Sequence, residues 1–223
     1  MKIVFKRIIA YIIDIVIVSV VSTLITSNSY INKDYNEYVN TYDKYQEYSD
    51  QYKKNVKELD KSLDDEKISE KEYEKKLNKL NNSFDEKSID YNYKLIKLSI
   101  IPTIISILVI LLYFVVIQFY MGGKTLGKKI VKLKVVSNNK NNLTIFNYFL
   151  RSLILNGVFL NILSVVMLLA LSKNYYLIYN EIVYIINYIL EMCIVFMMTF
   201  DKNNRGLHDY VANTKVIYEG ENV

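Results

Sequence analysis

Asp14 and Glu191 are the residues whose setting most directly implies chemistry. Asp14 is the single charge in the apolar run 8–25, and Glu191 the single charge in 182–200. A charged carboxylate near the centre of a bilayer costs roughly 2.5–3.5 kcal/mol on insertion scales. No Lys or Arg lies inside either run. Each acid must therefore be protonated, hydrogen-bonded, bound to a cation, or met by Arg7 reaching inward. At about 1.5 Å per helical residue, Asp14 lies about 10 Å deeper than Arg7, and Glu191 about 13 Å from the end of its own run. The two acids are thus expected at similar depth. Carboxyls sharing a low-dielectric site cannot both ionise freely, which is the equipment of a proton or cation relay. The other reading of the pair is neutral hydrogen-bond glue between helices.

The elements that position them are membrane spans. A bilayer core of about 30 Å needs about 20 apolar residues in a helix. Four runs qualify: 8–25, 98–120, 152–171 and 182–200. The first is not read as a secretory leader, because an acid sits within it and no small-residue cleavage site follows. Ser99, Thr103, Ser106, Tyr113 and Tyr120 share one face of the second run. Asn180, Tyr184, Asn187 and Glu191 share one near the fourth, and the third offers Asn156 and Asn161. Such seams mean either helix packing or a polar path.

Charge is distributed unevenly. The 223 residues carry 28 Lys/Arg and 23 Asp/Glu, and residues 27–97 hold 14 of the former and 16 of the latter. Lys2, Lys6 and Arg7 precede the first span, and the connector 121–151 carries seven basic residues and no acid. Positive charge flanking spans marks the cytoplasmic side. The termini and this connector are therefore expected in the cytoplasm, with 27–97 and the short loop 172–181 outside a cell membrane.

Within 27–97, Tyr35, Tyr38, Tyr42, Tyr45, Ser49, Tyr52, Val56, Leu59 and Leu63 follow steps of three and four. Tyr73, Leu77, Leu80, Phe84, Tyr91, Leu95 and Leu98 repeat them, with position 87 or 88 polar. Ser69 three before Glu72 matches a helix-opening capping box. The spacing predicts an antiparallel, coiled-coil-like helical hairpin with arms of about 45 Å, against the alternative of a solvated charged loop. A Tyr-rich seam is weak for a self-sufficient coil, so an envelope protein docking on 33–96, or a second copy of the chain, is an expected partner.

The stretch Gly122–Gly123–Lys124–Thr125–Leu126–Gly127–Lys128 resembles a phosphate loop, but Lys129 stands where the metal-binding Ser/Thr belongs, and a span precedes it. The expected role is a sharp turn at the headgroups, with Lys124, Lys128 and Lys129 holding anionic lipid. Residues 132–137 and 214–218 alternate polar and apolar, which predicts two strands of a small cytoplasmic ribbon. Residues 138–142 read as a turn, and Thr144 as the cap of a helix entering the third span. His208, beside Asp209, reads as structural. Cys193 alone excludes an internal disulfide or Cys-based zinc site. No metal cluster, catalytic triad or cofactor motif is found, so no enzyme is expected, and the basic patch lacks the aromatics of a nucleic-acid surface.

Arg7, Ala10 and Asp14 at the first span, Gly122 to Val136 after the second, and Arg205–Gly206–Leu207–His208–Asp209 with Ala212, Thr214 and Val216 at the end together resemble the RDD family of bacterial membrane proteins. Arg7 and Asp14 match its named Arg and first Asp, with Asp209 as candidate for the second. The resemblance covers about 1–26 and 98–218; the long insert departs from it. It implies a role in transport, as some members are described as cation–proton antiporters. The expected fold is an all-α integral membrane protein: 1–26 with the first span, hairpin 27–97, spans 98–120, 152–171 and 182–200, and tail 201–223. The leading expectation is transport of small cations or protons by Asp14 and Glu191, with Arg7 tuning Asp14 and Asp209 pairing with Arg7 or Arg151. Four helices enclose little volume, so a homodimer is expected. The alternative is a non-transporting anchor that presents the hairpin to a partner.

Overall fold

A computed structural model describes residues 2–139 and 142–221. Lys140 and Asn141, in the expected turn over 138–142, lie outside the described residues. The chain divides into two units, 1–27 with 101–223, and 28–100.

In the larger unit, α1 spans Lys2–Thr26. It has no Gly or Pro, and its buried residues Val4, Arg7, Ala10, Asp14, Val18 and Ser22 recur in steps of three and four. Its opposite side exposes Phe5, Ile12, Val16, Val20 and Leu24. Polar groups therefore face the protein while aliphatics face outward, as a bilayer solvent demands. The second apolar run comprises α4 (Ile100–Leu111), a π-helical turn (Leu112–Ile117) and α5 (Gln118–Tyr120). The π turn widens the helix, so that three consecutive residues, Tyr113, Phe114 and Val115, are all buried. An α-helix, at 3.6 residues per turn, would spread them over most of one turn. Tyr120, expected on the polar seam, is instead 80% exposed.

Helix α6 (Leu126–Ile130) and strand β1 (Leu133–Ser137) follow. Helix α7 (Ile145–Leu155) starts after Thr144, whose N–H donates to Asn147 Oδ1 at 2.8 Å. It breaks at Asn156 and Gly157, and α8 (Val158–Ala170) departs at 66°. Gly157 sits at φ +61, a backbone that glycine adopts without strain. The expected third span, 152–171, is thus not one helix. Its α8 part is about 20 Å long, and four of its residues belong to α7. The loop expected over 172–181 is also replaced, because α9 runs Lys173–Phe200. Helix α10 (Leu207–Val211) leads to β2 (Thr214–Tyr218). As expected, β1 and β2 pair into a ribbon; the pairing is antiparallel, with Val135 opposite Val216. Val115, Leu133, Val135, Tyr148 and Val216 form the core beneath this ribbon. Val4, Ile194 and Met198 join α1 to α9.

Three helices are long and apolar enough to cross a membrane, Ile3–Thr26, Ile100–Tyr120 and Lys173–Phe200, with a fourth span if the bent α7–α8 pair is one crossing.

In the second unit, α2 (Tyr35–Asp64) and α3 (Glu70–Leu98) lie antiparallel. Ser69 accepts from Glu72 N at 3.3 Å and opens α3. Tyr52 stacks on Phe84 at 4.1 Å, Tyr45 meets Tyr91 at 5.7 Å, and Lys94 pairs with Glu37 at 2.7 Å. The seam departs from the expected one at two steps. Thr41 is buried while Tyr42 is 45% exposed, and Tyr48 rather than Ser49 reaches across, stacking on Phe84 at 5.5 Å. A long flat ring spans the gap that a serine leaves empty.

Candidate functional site

Two buried carboxylates organise the larger unit. Asp14 is fully buried. Its Oδ1 accepts from the Tyr113 hydroxyl at 2.6 Å and from Gly127 N at 2.8 Å, and its Oδ2 accepts from Thr125 Oγ1 at 2.5 Å. Lys128 Nζ stands 3.9 Å from Oδ2. Each donor has a local origin. The π turn delivers Tyr113, whose oxygen also accepts from Leu126 N at 3.1 Å. Thr125 caps α6, accepting from Lys128 N at 3.3 Å while its own hydrogen goes to Asp14. Gly127 lets α6 lie against α1, since a Cβ there would come within 2.2 Å of the Ala10 carbonyl oxygen. The stretch that resembles a phosphate loop thus cradles an anion of its own chain.

Asp209 is the second carboxylate, also fully buried. Arg7 Nη2 donates to its Oδ2 at 2.5 Å, Gly206 N donates to the same oxygen at 3.1 Å, and Arg151 donates to Oδ1. Thr214 Oγ1 donates to Oδ1 at 3.0 Å and accepts from Arg151 Nη1 at 2.9 Å. Burial pushes the Asp209 carboxyl up, but Arg151, foremost among its neighbours, holds it well below the usual carboxylate range. Arg7 also donates to the Asn204 carbonyl. His208 is buried, with Nε2 3.0 Å from Arg7 Nη2. Burial brings its imidazole down to about 4, with Asp209 opposing and Arg151 adding to the effect.

Between α1 and α9 lies a cavity of about 300 Å³. Arg7, Lys128, Arg151, His208 and Glu191 reach its wall, beside Tyr11 and aliphatic side chains. Burial, with help from Arg151, brings the Lys128 ammonium down to about 7, against the pull of Asp14.

The structure rearranges the expected site. Arg7 pairs with Asp209 and not with Asp14, and Asp209 takes both guanidiniums named as its possible partners. Asp14 does have a basic neighbour, because the connector folds Lys128 against it. Lys128, expected at lipid headgroups, is only 6% exposed. Lys124 pairs with Glu219 at 2.6 Å, which leaves Lys129 exposed. Glu191 does not join Asp14. It is exposed on α9, accepts from Asn187 Nδ2 at 2.8 Å, and reaches the cavity that Asp14 does not line. Thr125, Gly127 and Thr214 were not singled out as site residues; the signal for the first two was the glycine and threonine spacing before Lys128. Among the described residues no group of His, Cys, Asp or Glu is placed to hold a metal.

The chain matches the RDD family over residues 3–213 and belongs to it. No curated protein and no solved structure matches it.

Proposed function

We propose that this RDD-family membrane protein moves protons, coupled to the passage of a small ion, through the cavity between α1 and α9. One juxtaposition supports the reading. Lys128 stands between the buried Asp14 carboxylate and a cavity whose wall also carries Glu191. An ammonium that loses its proton near neutral pH is suited to exchange. Asp14, with both oxygens occupied, holds the charge of Lys128, while Glu191 is the second proton-handling group. Arg7 and Asp209 fix the wall.

In this reading the chain crosses a cell membrane four times: α1, the run from α4 to α5, the bent α7–α8 pair, and α9. Both termini and the connector 121–151 are cytoplasmic, and 27–97 is outside. Exposed Lys129 meets anionic headgroups, and a homodimer supplies volume that four helices lack. The protein carries out no catalysis, uses no cofactor and binds no nucleic acid. A second reading draws on the saturation of Asp14 and Asp209 by fixed donors, which suits glue. Here the chain is a non-transporting anchor whose residues 33–96 bind an envelope protein.

Reconstitution in liposomes separates the two. Cation-driven proton movement is expected in wild type and falls at least tenfold in Lys128→Gln and Glu191→Gln. Absence of flux in wild type, or unchanged flux in both variants, overturns transport. Loss of partner capture on deleting 33–96 supports the anchor, and retained capture excludes the hairpin as its docking surface.

A further inference from the structure

Helix α9 turns two unlike surfaces away from the rest of its unit. Ile178, Ile182, Ile185, Ile189, Met192 and Phe196 are exposed and recur in steps of three and four. Every one is apolar, as contact with lipid tails requires. Roughly a quarter of a turn away, Glu181, Tyr184, Tyr188, Glu191, Val195 and Thr199 are also exposed and keep the same spacing. Glu181 and Thr199 stand near the ends of the apolar run 182–200, where headgroups and water are at hand. Tyr184, Tyr188 and Glu191 stand within it.

The chain itself does not satisfy these three. Asn187 Nδ2 donates to Glu191 Oε1 at 2.8 Å, while Glu191 Oε2 accepts from none of the described residues. Tyr184 and Tyr188 are 69% and 65% exposed, and neither hydroxyl has a hydrogen-bonding partner among the described residues. Lipid tails supply no partner either. Polar groups at this depth are costly against lipid and are met by another helix.

The strip carries its own complement. Glu191 is an acceptor short of donors, and Tyr188 and Tyr184 are donors short of acceptors, one and two turns away along the same helix. A second copy inserted the same way up, about a two-fold axis along the membrane normal, brings equal levels together. Such an isologous contact forms each bond twice. Steps of three and four are also the spacing by which two helices pack along a seam. The strip runs past the candidate site, because Glu191 and Val195 line the cavity between α1 and α9 and are themselves exposed. The cavity therefore opens where this strip passes.

We infer that two copies of this chain pair through the strip 181–199 of α9, with the partner's Tyr184 and the partner's Tyr188 donating to the free oxygen of Glu191 and the partner's helix covering the cavity mouth. The site is incomplete without the second copy. The inference rests on the transport reading for its purpose, since it completes the wall that holds Glu191; the pairing stands apart from any flux.

The test uses the full chain, labelled at its C-terminus and reconstituted in phosphatidylcholine liposomes at falling protein-to-lipid ratio, with subunits counted by single-molecule photobleaching. Dimers that give way to monomers on dilution are expected. Tyr184→Phe with Tyr188→Phe removes two exposed hydroxyls and leaves the rings, and is expected to weaken pairing at least tenfold. Ile185→Val with Ile189→Val, on the apolar strip, is expected to leave it unchanged. Oxidative cross-linking reads the face directly. Val195→Cys in a Cys193→Ser background is expected to give a disulfide-linked dimer, whereas native Cys193, exposed on the far side of α9, is expected to give none. Pairing unchanged in the double Phe variant, or cross-linking through Cys193 and not through Val195→Cys, overturns the proposal. Monomeric wild type at every ratio also overturns it and assigns the strip to a different protein. Dimers without proton flux leave this interface standing and remove the transport reading, and flux from monomers alone does the reverse.

Discussion

Arg7 Nη2 lies 2.5 Å from Asp209 Oδ2, although 202 positions separate the two residues. Arg151 meets the other oxygen of the same carboxylate. One buried acid thereby ties α1, α7 and α10 together beside the ribbon. Such a trio is costly to assemble, and removing one member leaves the others buried without compensation. Asp209→Asn is therefore expected to destabilise the folded protein by about 3–5 kcal/mol, measured by chemical unfolding in detergent. A loss under about 1 kcal/mol means that water reaches the guanidiniums and the trio is not buried.

Asp14 makes a different demand on its neighbours. Tyr113, Thr125 and Gly127 all donate to it, so an amide nitrogen at this position faces donors. Asp14→Asn is expected to cost about 1–3 kcal/mol, the penalty of buried polar groups left unmatched. Thr125→Val in the Asp14→Asn background is expected to cost much less than in wild type, because its partner is already impaired. Additive effects in that cycle contradict the hydrogen bond.

Gly127→Ala tests the close approach of α6 to α1. The added Cβ would fall within 2.2 Å of the Ala10 backbone oxygen and 2.8 Å of Asp14 Oδ1. The backbone cannot swing aside as a side chain does, so α6 must move. A loss of about 1–3 kcal/mol is expected from overpacking, together with weaker proton flux, because Lys128 moves with α6. Wild-type stability in this variant means that the helices are farther apart than described.

Much of this arrangement was legible in one dimension. Apolar runs longer than a bilayer core announce spans, and alternation at 132–137 and 214–218 announced the ribbon. The family motif gave Arg7, Asp14 and Asp209, and charge gave Arg151 as a partner. What escaped the sequence depends on local geometry. The π turn at Leu112–Ile117 leaves no mark in hydropathy, because its residues are apolar in any helix. The break at Gly157 rests on a single left-handed residue in an apolar run. Lys128 reads as a surface lysine, since basic residues crowd the connector and only folding selects the one that turns inward. Glu191 reads as buried because its run is apolar, whereas it lies on the exposed side of α9, hydrogen-bonded to Asn187.

His208 gives the clearest dependence on pH. It faces Arg7 from α1, Arg151 from α7 and Asp209 on its own helix, with Lys128 and Glu191 on the same cavity wall. Burial brings its imidazole down to about 4, whereas in the unfolded chain it titrates near 6.5. Between these values the unfolded chain binds a proton that the folded chain does not, so stability rises with pH. The contribution is fully present above about pH 6.5 and is lost as pH falls toward 4, to a total of roughly 3 kcal/mol. His208→Gln keeps a polar side chain and removes the titration. Unfolding curves from pH 7.5 to 4 are therefore expected to show wild type losing roughly 3 kcal/mol more than the variant. Parallel curves mean that the imidazole titrates as if in water, which its burial between two guanidiniums does not permit.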